Sequence, residues 1–280
     1  GHVNPSLGLV KELSTRGVEV VYFSSEELRE KIEEAGASYR PYHYDLNIFK
    51  NGFNVLLDHG LDLIQDILQQ IENETFDYVI HSIAMPFSKQ IAEYLMLPAV
   101  SMLAVFMGMK NFMEPDKTPL AGKFKAMNDA YLLEAKKIAE TLNVKMPPRF
   151  FDLIFNVEPL NLVFTSDYFL SEEDRAFFDE KYVLVGADSY QRLEDLTDFP
   201  IERLNSAKNV LYVSFGTIFG DFATEIYQKV FEAFGDSDYL VVMAAHQVGL
   251  ANLEIPENFI VQDYIPQNEV LKYADVASTH

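Results

Sequence analysis

Residues 209–245 read NVLYVSFGTIFGDFATEIYQKVFEAFGDSDYLVVMAA. NVLYVSFG is an apolar, β-branched run closed by a glycine, which is the pattern of a buried strand. Phe222–Phe234 carries helical spacing, and YLVVMAA is a second apolar strand. A strand, a helix and a strand in that order form the unit from which parallel sheets are built, with helices covering both faces. The pattern continues toward the C terminus as FIVQDY (strand), QNEVLKYA (helix) and DVAST (strand).

The same alternation fills the N-terminal half. NPSLGLVKELSTRG places Leu7, Val10 and Leu13 on one helical face, with Gly17 as the stop. VEVVYFS (18–24) reads as a strand, and Ser25 is the expected cap of the helix that ends at Gly36. One long amphipathic helix is predicted over Val55–Glu74. DYVIHS (77–82) and LPAVSML (97–103) are predicted strands, with Pro86 opening the helix between them. A polar helix follows over Ala121–Leu142. LNLVFTS (160–166) and YVLVG (182–186) are strands on either side of the helical SEEDRAFFDEK. Between Asp188 and Asn209 the pattern pauses in a polar, proline-containing stretch. The expected organisation is an N-terminal domain over 1–187, a linker over 188–208 and a second domain over 209–280.

The totals limit the possible functions. The 280 residues are 49% hydrophobic, enough for two domains of ordinary size. No apolar run reaches the roughly 18 residues of a membrane-spanning helix. A formal net charge of −21 argues against binding nucleic acid through a general basic surface. Cysteine is absent, which excludes disulfides and thiol chemistry and is compatible with a cytoplasmic location. No G-x-G-x-x-G follows a predicted strand, which counts against a dinucleotide-dependent oxidoreductase. A parallel α/β domain normally begins with a strand feeding a turn and a helix. GHVNP has the turn and helix without that strand, and DVASTH has a strand without its turn and helix. The expectation is a piece of a longer chain, lacking its first strand and the rest of its second domain.

Three motifs carry a resemblance. GHVNPSLGLVKEL resembles the N-terminal catalytic motif of the family 1 glycosyltransferases, the nucleotide-sugar enzymes of the GT-B fold. VLYVSFGT (210–217) resembles the first strand and loop of their donor domain. YIPQNEVLKYADVASTH (264–280) is similar to the first half of their donor signature. The likeness covers essentially the whole chain in order and spacing, and the bacterial macrolide glycosyltransferases are the subgroup it resembles most. It implies two Rossmann-like domains facing across a cleft, the second of them incomplete here. It also implies transfer from a UDP-sugar to the hydroxyl of a small lipophilic acceptor, with no metal and no cofactor beyond the co-substrate, an activity that the piece by itself is not expected to show.

The resemblance assigns residues. His2, just ahead of a helix at the ligand edge of a parallel sheet, takes the role of general base. An imidazole with an ordinary pKa of about 6.5 suits proton removal near neutral pH. The family pairs this histidine with an aspartate, and Ser82 stands at that position. Serine can hydrogen-bond the ring but brings no charge. His81 points to the other strand face and is not a simple substitute. His2 is therefore expected to be a weaker base suited to readily ionised acceptors such as phenols. The alternative is a binding relative that keeps the cleft and has lost catalysis. On the donor side, Ser214, Gly216 and Thr217 are expected to meet diphosphate oxygens, and Tyr264 to stack on the base. Ile265 would supply backbone hydrogen bonds, Gln267 begins the next helix, and His280 would contact the α-phosphate. Phe106 and Met107, directly after a strand end, are the expected acceptor contacts.

Overall fold

The computed structural model describes residues 3–46, 54–104, 121–153, 155–187, 190, 196–216, 223–245 and 254–279. The chain divides into two compact units, Gly1–Tyr190 and Gln191–His280.

The first unit begins with a short 3-10 turn at Asn4–Ser6, then α1 (Leu7–Thr15), β1 (Val21–Ser24), α2 (Arg29–Glu34) and β2 (Ser38–Pro41). Leu7 and Val10 bury one face of α1 against Ile32 of α2 and Tyr39 of β2. Gly17, at φ +84°, ends α1: its N–H bonds the Ser14 carbonyl, and the Val18 N–H bonds the Leu13 carbonyl. This Schellman arrangement satisfies the last carbonyls and needs a left-handed residue. Ser25 makes no side-chain cap, contrary to the sequence expectation. A 3-10 turn over Glu26–Leu28 intervenes, so α2 starts later than the cap rule predicts.

The unit continues with α3 (Asn54–Asp58), α4 (Gly60–Gln70), β3 (Val79–Ser82), α5 (Ser88–Tyr94) and β4 (Ala99–Leu103). It then runs through α6 (Ala121–Leu142), α7 (Phe150–Leu153), β5 (Leu160–Val163), α8 (Glu172–Arg175) and β6 (Tyr182–Leu184). β1 and β2 form one parallel pair, and β3-β4-β5-β6 form a parallel sheet in that order. The predicted single helix over 55–74 is two helices, broken at His59, and the second ends at Gln70. The break has a packing cause. A Cβ on Gly60 would lie 2.6 Å from Cζ of Phe87, a ring with no exposed surface. Glu134 of α6, itself buried, accepts the Leu61 N–H at 2.9 Å and so caps α4 from outside. Leu63, Ile64 and Ile67 of α4 pack with Phe87, Ile91, Tyr131, Ile138 and Phe150 as the main core.

The second unit holds α9 (Ile201–Ser206), β7 (Asn209–Ser214), α10 (Ala223–Phe234) and β8 (Tyr239–Ala244), then β9 (Phe259–Gln262), α11 (Gln267–Val270) and β10 (Val276–Thr279). Its parallel sheet has the order β10-β7-β8-β9. Two cores flank it. Val210, Tyr212, Val242 and Ile260 face one side with Phe199 and Leu204, while Leu211, Val213, Val241 and Met243 face the other with Tyr227 and Phe231. The 2-residue alternation along β7 and β8 supplies both faces of a sheet buried on both sides. α9 lies within the polar stretch that precedes β7, and its Leu204 belongs to this unit's core.

Candidate functional site

Parallel strands end on one edge, so the register shows which residues share it. In the second unit, Thr279, Ser214, Ala244 and Gln262 stand side by side at the ends of β10, β7, β8 and β9. Two residues past this row on β7 is Gly216, exposed and at φ +72°, with its N–H bonded to Ser214 Oγ at 3.4 Å. A positive φ there permits the backbone to turn and present its N–H groups without a Cβ in the way. Two residues past the row on β9 is Tyr264, 59% exposed, followed by buried Ile265 and by Gln267, the exposed first residue of α11. Ser214, Gly216, Tyr264, Ile265 and Gln267 thus gather at one edge of one sheet. Asp275 has a structural role: its Oδ2 accepts the Val210 N–H at 2.8 Å, and its own N–H bonds the Val210 carbonyl. His2, Phe106, Met107, Thr217 and His280 lie outside the described residues.

In the first unit, Ser82 ends β3, half-buried, opposite Met102 of β4. Its Oγ accepts the Ala84 N–H at 3.3 Å. Behind it, on the other strand face, His81 is buried. One ring nitrogen, Nδ1, is 3.0 Å from the Ser82 carbonyl oxygen, and the other, Nε2, is 3.3 Å from Glu158 Oε1. Sequence reasoning singled out His81 but missed Glu158, whose partner lies 77 positions away. The one local signal was a carboxylate inside the apolar run leading to β5. Two phenols of this unit are hydrogen-bonded or in contact at their hydroxyls. Tyr42 Oη lies 3.8 Å from Met85 Sδ, and Tyr22 Oη lies 2.7 Å from Ser6 Oγ. Burial pushes both phenols above their ordinary range, Tyr22 less so because the Ser6 hydrogen bond opposes it.

Among the described residues, no group of three or more His, Cys, Asp or Glu is placed to hold a metal ion. No described helix is long and apolar enough to cross a membrane.

Solved structures place the architecture. The calicheamicin glycosyltransferase CalG4 superposes with a TM-score of 0.69 at 22% identity, covering 100% of this chain and 71% of that one. The glycosyltransferase of kitacinnamycin gives 0.73 at 22% identity, covering 99% and 71%. No family model matches the chain. Two parallel α/β units with these neighbours define the GT-B class of glycosyltransferase. Sequence relatives fix the family. UDP-glucosyltransferase YojK of Bacillus subtilis is 32% identical over 305 residues, all of this chain and 72% of that protein. YdhE of the same organism is 33% identical over 294 residues with the same coverage. Oleandomycin glycosyltransferase of Streptomyces antibioticus is 27% identical, with 67% of its length covered. The chain belongs to the UDP-glycosyltransferase family, the family of the bacterial macrolide glycosyltransferases, and its activity class is glycosyl transfer.

Proposed function

We propose that this protein transfers a sugar from a UDP-sugar to a hydroxyl of a small lipophilic acceptor, such as a macrolide or a phenol, with inversion and without a metal. Acceptor binding is assigned to residues 1–187, with Phe106 and Met107 in the pocket, and donor binding to residues 209–280. His2 takes the proton from the acceptor hydroxyl. The oxygen then attacks the anomeric carbon from the face opposite the leaving diphosphate, the bond to the diphosphate oxygen breaks, and UDP departs. On the donor side Ser214, Gly216, Thr217 and His280 face the diphosphate, Tyr264 stacks on the base, and Ile265 and Gln267 support it. A cytoplasmic location is part of the same reading, supported by a chain without cysteine.

The observation that carries this reading is the shared edge in the second unit, where a left-handed glycine and a serine hydroxyl at the end of β7 and an exposed tyrosine past the end of β9 stand on either side of β8. A backbone free of Cβ, a hydroxyl donor and an exposed aromatic side chain suit a diphosphate joined to a base. The test is transfer from UDP-glucose to a phenol and to an aliphatic alcohol, followed by mass spectrometry, with the full-length version as the parent and with its Ser82→Asp variant. The expected result is phenol glycosylation by the parent and a gain on the alcohol in the variant. Loss of the triad acid costs on the order of 10⁴-fold in a serine protease, which sets the upper bound on that gain. Equal rates in the two proteins would overturn the role given to Ser82. A second reading, a relative that binds the substrates without catalysis, rests on the same serine. It predicts UDP binding by calorimetry with no product from either protein.

A further inference from the structure

The Ser82 carbonyl is held from behind by an ionisable pair that has almost no contact with solvent. The His81 and Glu158 side chains are 3% and 7% exposed. Glu158 is itself fixed by Asn161 of β5. Its N–H donates to Asn161 Oδ1 at 2.9 Å, and its carbonyl accepts from Asn161 Nδ2 at 2.7 Å. From α5, Lys89 donates to the Val157 carbonyl at 2.9 Å and brings its Nζ to 4.0 Å from Glu158 Oε1. Across the sheet, His81 stands in register with Ser101 and Ser101 with Asn161, both without exposed surface. A row of polar side chains therefore crosses the interior of this sheet at the level of His81 in β3.

Burying such a pair costs several kcal/mol per ion before its attraction is counted, and apolar side chains of the same volume often serve stability as well or better. The fold alone does not require it. Its geometric product is specific. With Nδ1–H on the Ser82 oxygen, the imidazole sets the plane of the peptide after Ser82, together with the Met85 N–H, which reaches the same oxygen at 3.0 Å. That plane fixes ψ of Ser82 and the placement of the backbone that follows it, including the Ala84 N–H, which reaches Ser82 Oγ at 3.3 Å and so holds the rotamer of the hydroxyl. Glu158 is too buried to meet a substrate, so its effect travels through His81.

We propose that His81 and Glu158 are positioning residues for Ser82, a buried clamp that aims the hydroxyl at the end of β3. The proposal rests on the reading of Ser82 as the partner of the general base. What it requires is the hydrogen-bonded chain from Glu158 through His81 to the Ser82 carbonyl, and Glu158→Gln preserves that chain. A neutral imidazole keeping its Nδ1–H on Ser82 accepts at Nε2 from the amide.

The sequence contains no cysteine, so Ser82→Cys places a single thiol at the position in question. Its labelling rate with a soluble disulfide reagent reports exposure and direction without any turnover. In the double replacement His81→Phe with Glu158→Leu, that rate is expected to shift by about threefold or more, since thiol reactivity follows its microenvironment. In the parent background the same double replacement is expected to lower kcat by about tenfold with KM unchanged, the signature of a misplaced supporting group. The melting temperature should stay near that of the parent. Glu158→Gln should keep the parent labelling rate and kcat. A folded double variant with unchanged labelling and unchanged kcat overturns the proposal. If the double variant does not fold, the milder pair His81→Leu with Glu158→Gln decides, and a labelling rate and kcat unchanged in it overturn the proposal. Should the parent show no transfer, the function proposed above fails while the labelling comparison still settles the clamp.

Discussion

At the scale of single residues, backbone conformation makes two sharp predictions. Met96 follows α5 at φ +56° and is 91% exposed. Its N–H bonds the Glu93 carbonyl and the Leu97 N–H bonds the Ala92 carbonyl, the same closing pattern that Gly17 provides after α1. A left-handed residue with a Cβ costs roughly 1–2 kcal/mol, and an exposed methionine contributes little packing to offset it. Met96→Gly is therefore expected to raise stability by about 0.5–1 kcal/mol after the added chain entropy of glycine is subtracted. Thermal unfolding checks it, and a lower melting temperature would contradict the assignment. Gly60 makes the opposite case. An alanine there must push the Phe87 ring out of a site with no free surface. Gly60→Ala is expected to lose about 1–3 kcal/mol, the usual cost of overpacking, in a chemical denaturation curve.

At the scale of elements, α4 depends on a residue far away in sequence. Glu134 is 3% exposed, accepts the Leu61 N–H, and is paired with Lys137 at 2.9 Å. Glu134→Ala leaves that N–H buried without an acceptor, at a cost of about 1–3 kcal/mol, whereas Glu134→Gln keeps the hydrogen bond. Amide exchange in the first turn of α4 should rise in the alanine variant and stay low in the glutamine variant. Equal exchange in both would show that Glu134 does not cap α4. This contact also shows why parts of the fold were illegible in the sequence. The helix over Ala121–Leu142 and the strands around Val79–Ser82, Ala99–Leu103 and Asn209–Ser214 follow from local periodicity, and the sequence locates them to within a few residues. The break at His59 depends on Phe87 and Glu134, so no window around residue 59 contains its cause. β2 was missed because SYRP is polar at alternate positions and ends on proline, a pattern that reads as a turn. In the site, Ser82 and Gly216 were legible because they sit in motifs at strand ends. Glu158 was not, because its pairing with His81 exists only once β3 and β5 share a sheet.

At the scale of the whole molecule, the phenols link stability to pH. Fifteen tyrosines are present, and burial is the leading cause of raised pKa at Tyr22, Tyr42, Tyr131, Tyr182 and Tyr227. Their surroundings differ: Tyr22 bonds Ser6, Tyr42 lies against Met85, Tyr131 packs edge-on against Phe150, Tyr182 packs against Phe177 and Phe178, and Tyr227 donates to the Ala244 carbonyl at 2.8 Å. The neutral phenol is the form that the folded state holds. An unfolded tyrosine ionises near pH 10, below the folded value of these five, so the unfolded chain loses its protons first as pH rises. Their contribution is fully present below about pH 10 and is lost as pH climbs through the folded values. Tyrosinate absorbance should therefore show these phenols titrating late, above the ordinary range. The signal of these five should appear abruptly, together with loss of tertiary structure. Tyr131→Phe removes a raised phenol together with its 2.7 Å hydrogen bond to the Pro147 carbonyl, so it should weaken the protein at pH 7 while flattening the alkaline part of the stability curve. A smooth titration of these five phenols near pH 10, with the fold intact, would contradict this account of how the two units keep them neutral.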